Sequence, residues 1–296
     1  MSYRSGFITI AGRPNVGKST LLNALMGQKI AITSPKPQTT RSRITGIIND
    51  EAYQMIFVDT PGMHEGKHLL GKTIDKLAVN SIQGVDVVLF VTDRHLGKSE
   101  TKILNYFKAI STPVILVINK IDLLKSKIQT DEIILSYINA YPFKEVVPIS
   151  AASVTNLDHL KEAIYKYLPE GPQYYPEEMV TDQTDNTLMA EIIREKILYH
   201  AQEEVPHSVA VVIESITPNE EYNTVDVTAI IIVERSTQKQ ILIGSKGEKI
   251  KKIGTAARRD INKTLDTKIH LSLWIKVKKD WRNNPNELKR YGYQDE

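Results

Sequence analysis

Residues Gly12 to Ser19 read Gly-Arg-Pro-Asn-Val-Gly-Lys-Ser, and the reading of this octapeptide decides the fold. It satisfies G-x-x-x-x-G-K-S/T, a glycine loop whose backbone N–H groups turn inward around a phosphate. Upstream, Phe7-Ile8-Thr9-Ile10-Ala11 is a short apolar, β-branched run, a strand signature that Gly12 ends. Downstream, Leu21, Leu22, Leu25 and Met26 share one helical stripe that Gly27 closes. Strand, loop and helix are the setting the motif needs, because the positive helix N-terminus adds to the pull of the N–H groups on an anion. Lys18 is then placed to reach β- and γ-phosphates, and the Ser19 hydroxyl to bind Mg²⁺. Gly12, Arg13, Pro14, Asn15, Val16, Gly17, Lys18, Ser19 and Thr20 are the first candidate nucleotide-binding residues.

Chemistry-bearing residues recur at the ends of later strand-like runs. Thr33 to Arg41, with two prolines and a cluster of hydroxyls, reads as a loop. In P-loop hydrolases a threonine of this region completes the Mg²⁺ shell when the γ-phosphate is present. Thr39 and Thr40 are the candidates, with Thr40 preferred. The run Ala52 to Val58 leads into Asp59-Thr60-Pro61-Gly62-Met63. There Asp59 is placed to hold Mg²⁺ through water and the Gly62 N–H to bond the γ-phosphate. Lys18, Thr40 and Gly62 are the expected catalytic residues, and Ser19, Thr40 and Asp59 the expected Mg²⁺ set.

The strand Val114 to Ile118 runs into Asn119-Lys120-Ile121-Asp122, the N-K-x-D pattern of guanine readers. One carboxylate, Asp122, can accept from both N1–H and N2–H₂ of guanine. Adenine has neither donor and would leave it unpaired. Asn119 is expected to brace the P-loop and Lys120 to cover the ring. After Val146 to Ile149, the tripeptide Ser150-Ala151-Ala152 offers backbone to guanine O6. Strands alternating with helical stretches, Lys72 to Gln83 and Glu100 to Lys108 among them, predict a doubly wound, mostly parallel α/β sheet.

His64-Glu65-Gly66-Lys67-His68 matches the zinc-protease pattern H-E-x-x-H. That chemistry needs both histidines one turn apart on a rigid helix. The internal glycine and the preceding Pro61-Gly62 predict solvated loop side chains instead.

The chain has 296 residues, enough for about two domains. It has no cysteine, which excludes disulfides and cysteine zinc sites and suits a reducing cytosol. Its longest apolar runs, such as Val87 to Val91, are five residues, against about twenty for a membrane span. The first strand follows so closely on Met1 that no signal peptide is expected. Net charge is +3, yet Gly244 to Arg282 alone holds twelve Lys+Arg against four Asp+Glu, a local +8. A basic stripe confined to one region is the footprint of a polyanion-binding surface.

After an amphipathic helix over Leu157 to Leu168, three prolines and a glycine in Pro169 to Pro176 predict a stiff linker at 171–184. The domains expected are thus 1–170, 185–282 and a tail at 283–296. A helix is expected over Thr187 to Glu203, then strands Val209 to Ile216 and Val225 to Val233, and a last strand Ile269 to Val277. Gly244-Ser245-Lys246-Gly247 falls between the two middle helices of an α-β-β-α-α-β order, the arrangement of a type II KH domain. Its G-x-x-G loop brings backbone close to single-stranded RNA. Lys246, Lys249, Lys252, Arg258 and Arg259 are the cations expected at that groove, with Gly244, Ser245 and Gly247. For Trp274 packing against a neighbouring element is expected ahead of the alternative, stacking on a base.

Taken together, G-R-P-N-V-G-K-S, Q-T-T-R, D-T-P-G, N-K-I-D and I-G-S-K-G-E-K-I-K-K-I-G resemble the Era family of bacterial GTPases along essentially the whole chain. The resemblance implies a P-loop GTPase domain followed by an α+β type II KH domain, with GTP or GDP as ligand. It implies an enzyme that matures the small (30S) ribosomal subunit by binding near the 3′ end of 16S ribosomal RNA. It also implies a cytoplasmic protein with peripheral association at the cytoplasmic face of the membrane. A monomer with no DNA partner is expected. Asn15 resembles the K⁺-binding asparagine of related GTPases. In Ras-like proteins a glutamine follows D-x-x-G and orients the attacking water. Here Met63 stands there and can do neither, so slow hydrolysis is expected. The rival expectations are an RNA-binding scaffold that uses GTP only structurally and a membrane-associated GTPase without an RNA role.

Overall fold

The computed structural model describes residues 2–34, 36, 39–41, 43–59, 61–62, 68–201 and 205–293. Thr60, Met63 and the His64 to Lys67 part of H-E-x-x-H lie outside them. The chain divides into two compact units, the first made of 1–31, 40–65 and 74–182 and the second of 32–39, 66–73 and 183–296.

In the first unit β1 (Arg4–Ala11) leads through the glycine loop into α1 (Lys18–Met26). The antiparallel pair β2 (Ile44–Asn49) and β3 (Tyr53–Asp59) follows. Next come α2 (Leu69–Asn80), whose residues 69–73 group with the second unit, β4 (Val87–Thr92), α3 (Lys98–Phe107), β5 (Val114–Ile118), α4 (Lys127–Ile138), β6 (Glu145–Pro148) and α5 (Leu157–Tyr165). The strands form one sheet in the order β2-β3-β1-β4-β5-β6, parallel except for β2. A strand buried on both faces has no polar side to alternate with, which is why β4 reads Val-Val-Leu-Phe-Val. Val87, Leu89 and Val91 join α1 and α5 in one core. Val88 and Phe90 point the other way, into a core with Ile103, Leu104 and Phe107 of α3 and Ile133 and Tyr137 of α4. Helices on both faces leave the carboxyl ends of β1, β3, β4 and β5 as the place where loops gather.

The expected linker at 171–184 proves to be mostly part of this unit. The Gln54 amide accepts from the backbone N–H groups of Tyr174 and Tyr175 at 2.8 and 3.0 Å and donates to the Tyr175 carbonyl at 2.9 Å. Ile47 N–H donates to Val180 C=O at 2.8 Å, and Thr181 Oγ1 to Thr45 C=O at 2.7 Å. As edge strand, β2 has backbone groups without a strand partner, and this strap takes them up.

The second unit contains α6 (Asp185–His200), β7 (Ala210–Asn219), β8 (Thr224–Val233), α7 (Ser236–Ile243), α8 (Glu248–Leu265), β9 (Ile269–Val277) and α9 (Pro285–Arg290). The helix expected to reach Glu203 ends at His200. β7 and β8 pair antiparallel, β8 and β9 parallel. Their alternating residues Val227, Ala229, Ile231 and Ile269 pack with Ile192, Ile193 and Ile197 of α6 and Ile253, Ala257 and Ile261 of α8. Trp281 is fully buried, its indole N–H donating to Ser208 C=O at 3.1 Å. Trp274, expected to pack, is instead 63% exposed, because it lies on the sheet face away from the helices. No helix among the described residues is long and apolar enough to cross a membrane.

Candidate functional site

The glycine loop closes over the end of β1 by approaches that only glycine allows. A Cβ on Gly12 (φ 153°) would lie 2.4 Å from Val91 C=O, and one on Gly17 (φ 96°) 2.4 Å from Asn119 Nδ2. Asn15 between them is also left-handed, with φ 64°. Lys18 opens α1 and is buried, its ammonium donating to the carbonyls of Gly12 and Arg13 at 3.2 and 3.0 Å. Burial pushes that ammonium down to about 8, with Asp59 opposing and Arg13 adding to the shift.

Ser19, Thr40 and Asp59 come together from three separate stretches. Ser19 Oγ lies 2.8 Å from Thr40 Oγ1 and donates to Asp59 Oδ2 at 2.8 Å, while Thr40 Oγ1 donates to the same oxygen at 3.3 Å. Two hydroxyls and a carboxylate are the hard oxygen donors that Mg²⁺ takes, so these side chains fit the ion. Thr39, the other candidate, donates its hydroxyl to Lys36 C=O at 2.7 Å. Gly62 is pressed on the glycine loop: a Cβ there would lie 2.7 Å from Pro14 N. The Gly62 backbone therefore abuts the glycine loop at Pro14.

At the other end, one side chain gathers three motifs. Asn119 Nδ2 donates to Val16 C=O at 2.9 Å, and its Oδ1 accepts from Lys120 N–H at 2.8 Å and Ala151 N–H at 3.0 Å. Ser150 Oγ donates to Asp122 Oδ1 at 2.5 Å, which orients a carboxylate that is itself exposed. Lys120, left-handed at φ 63°, donates its ammonium to Asn15 C=O at 2.6 Å and to Asp93 Oδ2 at 2.7 Å. Ile121 begins a single 3-10 turn held by its N–H to Ile149 C=O at 3.2 Å, and Ala152 is exposed beside Ala151. Asp93 and its neighbour Glu100 were missed by motif reading. An aspartate at the carboxyl end of a buried strand was a usable signal, since Asp59 is the last residue of β3 and Asp93 the first after β4.

In the second unit Gly244 (φ 72°), Lys246 (φ 48°) and Gly247 (φ 80°) make the left-handed turn between α7 and α8. A Cβ on Gly244 would lie 2.7 Å from Lys249 Cβ, whereas Gly247 has open space around it. Ser245, Lys246, Lys252, Arg258 and Arg259 are exposed and Lys249 partly so. At about 100° per residue, Lys252 and Arg259 share a face of α8, but Lys249 and Arg258 fall about half a circumference apart. The four cations therefore do not form one stripe. No group of three or more His, Asp or Glu among the described residues could hold a metal ion.

The family described as 50S ribosome-binding GTPase matches residues 7–120, and the KH domain family matches residues 204–282. GTPase Era of Clostridioides difficile is 47% identical over 295 residues, 99% of this chain and 99% of that protein. GTPase Era of Clostridium tetani is 49% identical with the same coverage. A crystal structure of Era in complex with MgGDPNP and nucleotides 1506–1542 of 16S ribosomal RNA matches with a TM-score of 0.96 at 42% identity. It covers 99% of this chain and 100% of that one. A variant of Aquifex aeolicus Era bound to GDP and AlF₄⁻ gives 0.95 at 42% identity with the same coverage. With both domain families in this order and relatives nearly half identical from end to end, the chain belongs to the Era family of GTPases.

Proposed function

We propose that the protein is a slowly hydrolysing GTP switch that binds single-stranded 16S ribosomal RNA near its 3′ end through its KH domain, in assembly of the small ribosomal subunit. The observation that carries this reading is a full-length match, at 42% identity, to an Era solved with both MgGDPNP and a 16S fragment. The residues support it chemically. Asp122, aimed by Ser150, offers guanine an acceptor pair, Asn119 ties base motif to phosphate loop, and Lys18 supplies a charge for the phosphates. Ser19, Thr40 and Asp59 would hold Mg²⁺, which would offset charge on the transferred phosphoryl group. Asn15 offers a place for K⁺, and equal turnover in Na⁺ and K⁺ buffers would remove that part.

Coupling of nucleotide to RNA is supported by how the chain is apportioned. The segments 32–39 and 66–73, which run directly into Thr40 and away from the Asp59–Gly62 stretch, group with the KH unit rather than with the sheet. There Arg194 donates to Thr39 C=O while paired with Glu191, and Glu195 accepts from Thr33 N–H at 3.0 Å. Ordering of these loops by GTP then presents the RNA-binding unit. On this reading the protein acts in the cytoplasm, where its ribosomal RNA partner is, and as a monomer, with any membrane contact peripheral. The test is affinity for a short RNA of the 16S 3′ region with GDPNP and with GDP, alongside turnover of wild type and Lys18→Ala. Equal RNA affinities would refute the switch. Turnover that survives the substitution would refute the site and leave a scaffold, and no RNA binding at all would favour a membrane-associated GTPase.

A further inference from the structure

The cations of the nucleotide site are held by two carboxylates that belong to no nucleotide motif. Asp93 follows β4 directly and lies between the glycine loop and the base motif. Its Oδ2 accepts from Lys120 Nζ at 2.7 Å, and its Oδ1 faces Arg13 Nη2 at 3.5 Å and Arg94 Nε at 3.2 Å. Glu100, in the first turn of α3 and almost wholly buried, forms an ion pair with Arg13 Nε. Lys120 also donates to Asn15 C=O at 2.6 Å, so its ammonium is fixed from two sides. Burial works against the Asp93 charge, but hydrogen bonds and charge from Lys120 and Arg94 overcome it and hold the carboxyl below its ordinary value.

We propose that Asp93 is a positioning residue for guanine-nucleotide binding: it tethers Lys120 of the base motif and, with Glu100, Arg13 of the phosphate loop. A lysine covering a purine ring must lay its flexible stem along the ring, and without an anchor the four-carbon chain samples many rotamers. Asp93 and Asn15 C=O select one. The same carboxylate helps fix Arg13, whose backbone carbonyl accepts from Lys18, so the base end and the phosphate end are set by one group. The inference rests on the guanine-nucleotide reading above. Its chemistry is ground-state positioning, equal in substrate and transition state, and so it acts on affinity rather than on the chemical step.

The test uses the full-length protein carrying Asp93→Ala, Asp93→Asn, Lys120→Ala, Asp93→Ala with Lys120→Ala, and Asp122→Ala as a control. GDP affinity and dissociation rate are measured with a fluorescent GDP, and kcat and KM with GTP. Loss of a charge-assisted tether should weaken GDP binding about ten- to hundredfold in Asp93→Ala and by a similar factor in Asp93→Asn, mostly through faster release. KM should rise and kcat stay within about twofold. The double substitution should be little worse than Lys120→Ala alone, because both remove one interaction. Unchanged GDP affinity, a fall in kcat at constant KM, or additive effects of Asp93 and Lys120 would each overturn the proposal. Asp122→Ala separates the two levels: if it too leaves affinity unchanged, the guanine reading fails, and if it alone weakens binding, only the role of Asp93 fails. The near-isosteric Asp93→Asn keeps the test valid should the alanine variant not fold.

Discussion

Replacing Lys18 by methionine removes a buried ammonium and keeps an unbranched side chain. In protein stripped of nucleotide, burial brings the Lys18 pKa from 10.5 to about 8. A lysine whose pKa falls on folding carries a penalty for its charge. That penalty is full below about pH 8 and is relieved as pH rises toward 10.5, because the unfolded chain then holds more of the proton. The drop corresponds to about 3 kcal/mol at neutral pH. Raising the pH from about 7 to about 9.5 recovers about 2 kcal/mol of it. The stability gap between Lys18→Met and wild type should therefore shrink by that amount, and other titrations cancel in the difference. Urea unfolding followed by far-UV circular dichroism, or hydrogen exchange of the β1 and β4 amides, gives the measurement. Tryptophan fluorescence would not, because Trp274 and Trp281 both lie in the second unit. Nucleotide binding at about pH 8 should also take up about half a proton as phosphate restores the ammonium. Calorimetry in two buffers of different ionisation heat reads this directly. A pH-independent gap, or binding with no proton uptake, would refute the reasoning.

Gly62→Ala places a methyl 2.7 Å from the Pro14 backbone nitrogen and 2.8 Å from its Cα. It should cut GTP affinity and turnover by about tenfold or more while leaving GDP binding within a few-fold, since the lost contact is one to the γ-phosphate. Fluorescent analogues of both nucleotides check it. Asp122→Ala should collapse the preference for GTP over ATP by roughly three to four powers of ten, read by competition. Lys252→Ala should lower the slope of log affinity against log salt by about 0.7 for a short single-stranded RNA, with the same loss for any sequence. A change confined to particular bases would instead make Lys252 a base contact.

Motifs made of adjacent residues were legible, because a glycine loop or N-K-x-D fixes its own geometry within a few bonds. The order of elements was legible too, since β4 and β5 are continuous apolar runs and α8 puts Ile253, Ala257 and Ile261 on one face. Legibility stopped where two distant segments decide a residue's surroundings. The strap at 171–182 looks like a free linker because its prolines and glycine are turn formers, and only the open edge of β2 makes it part of the domain. Helix α4 gave a weak signal because its apolar residues surround it, with Ile128, Leu135 and Ile138 exposed. Asp93 and Glu100 are ordinary acidic residues until the fold brings Arg13 and Lys120 to them. Trp274 and Trp281 could not be sorted from sequence, since burial of each depends on which sheet face the helices cover.

The parallel pairing of β8 with β9 has a consequence for the timing of synthesis. Val225 pairs with Ile269 and Val233 with Val277, so the middle strand acquires its second neighbour only after the whole crossover has been made. The glycine turn at 244–247 lies within that crossover, about a third of the way along it. A growing chain that has passed Gly247 but not Val277 holds every residue of the RNA loop without the strand on which α8 packs. The GTPase unit, complete by Asp182, can fold first on the ribosome, and the grip on RNA is acquired last. During synthesis the sheet and glycine loop of the GTPase unit are thus complete before the RNA-binding sheet is.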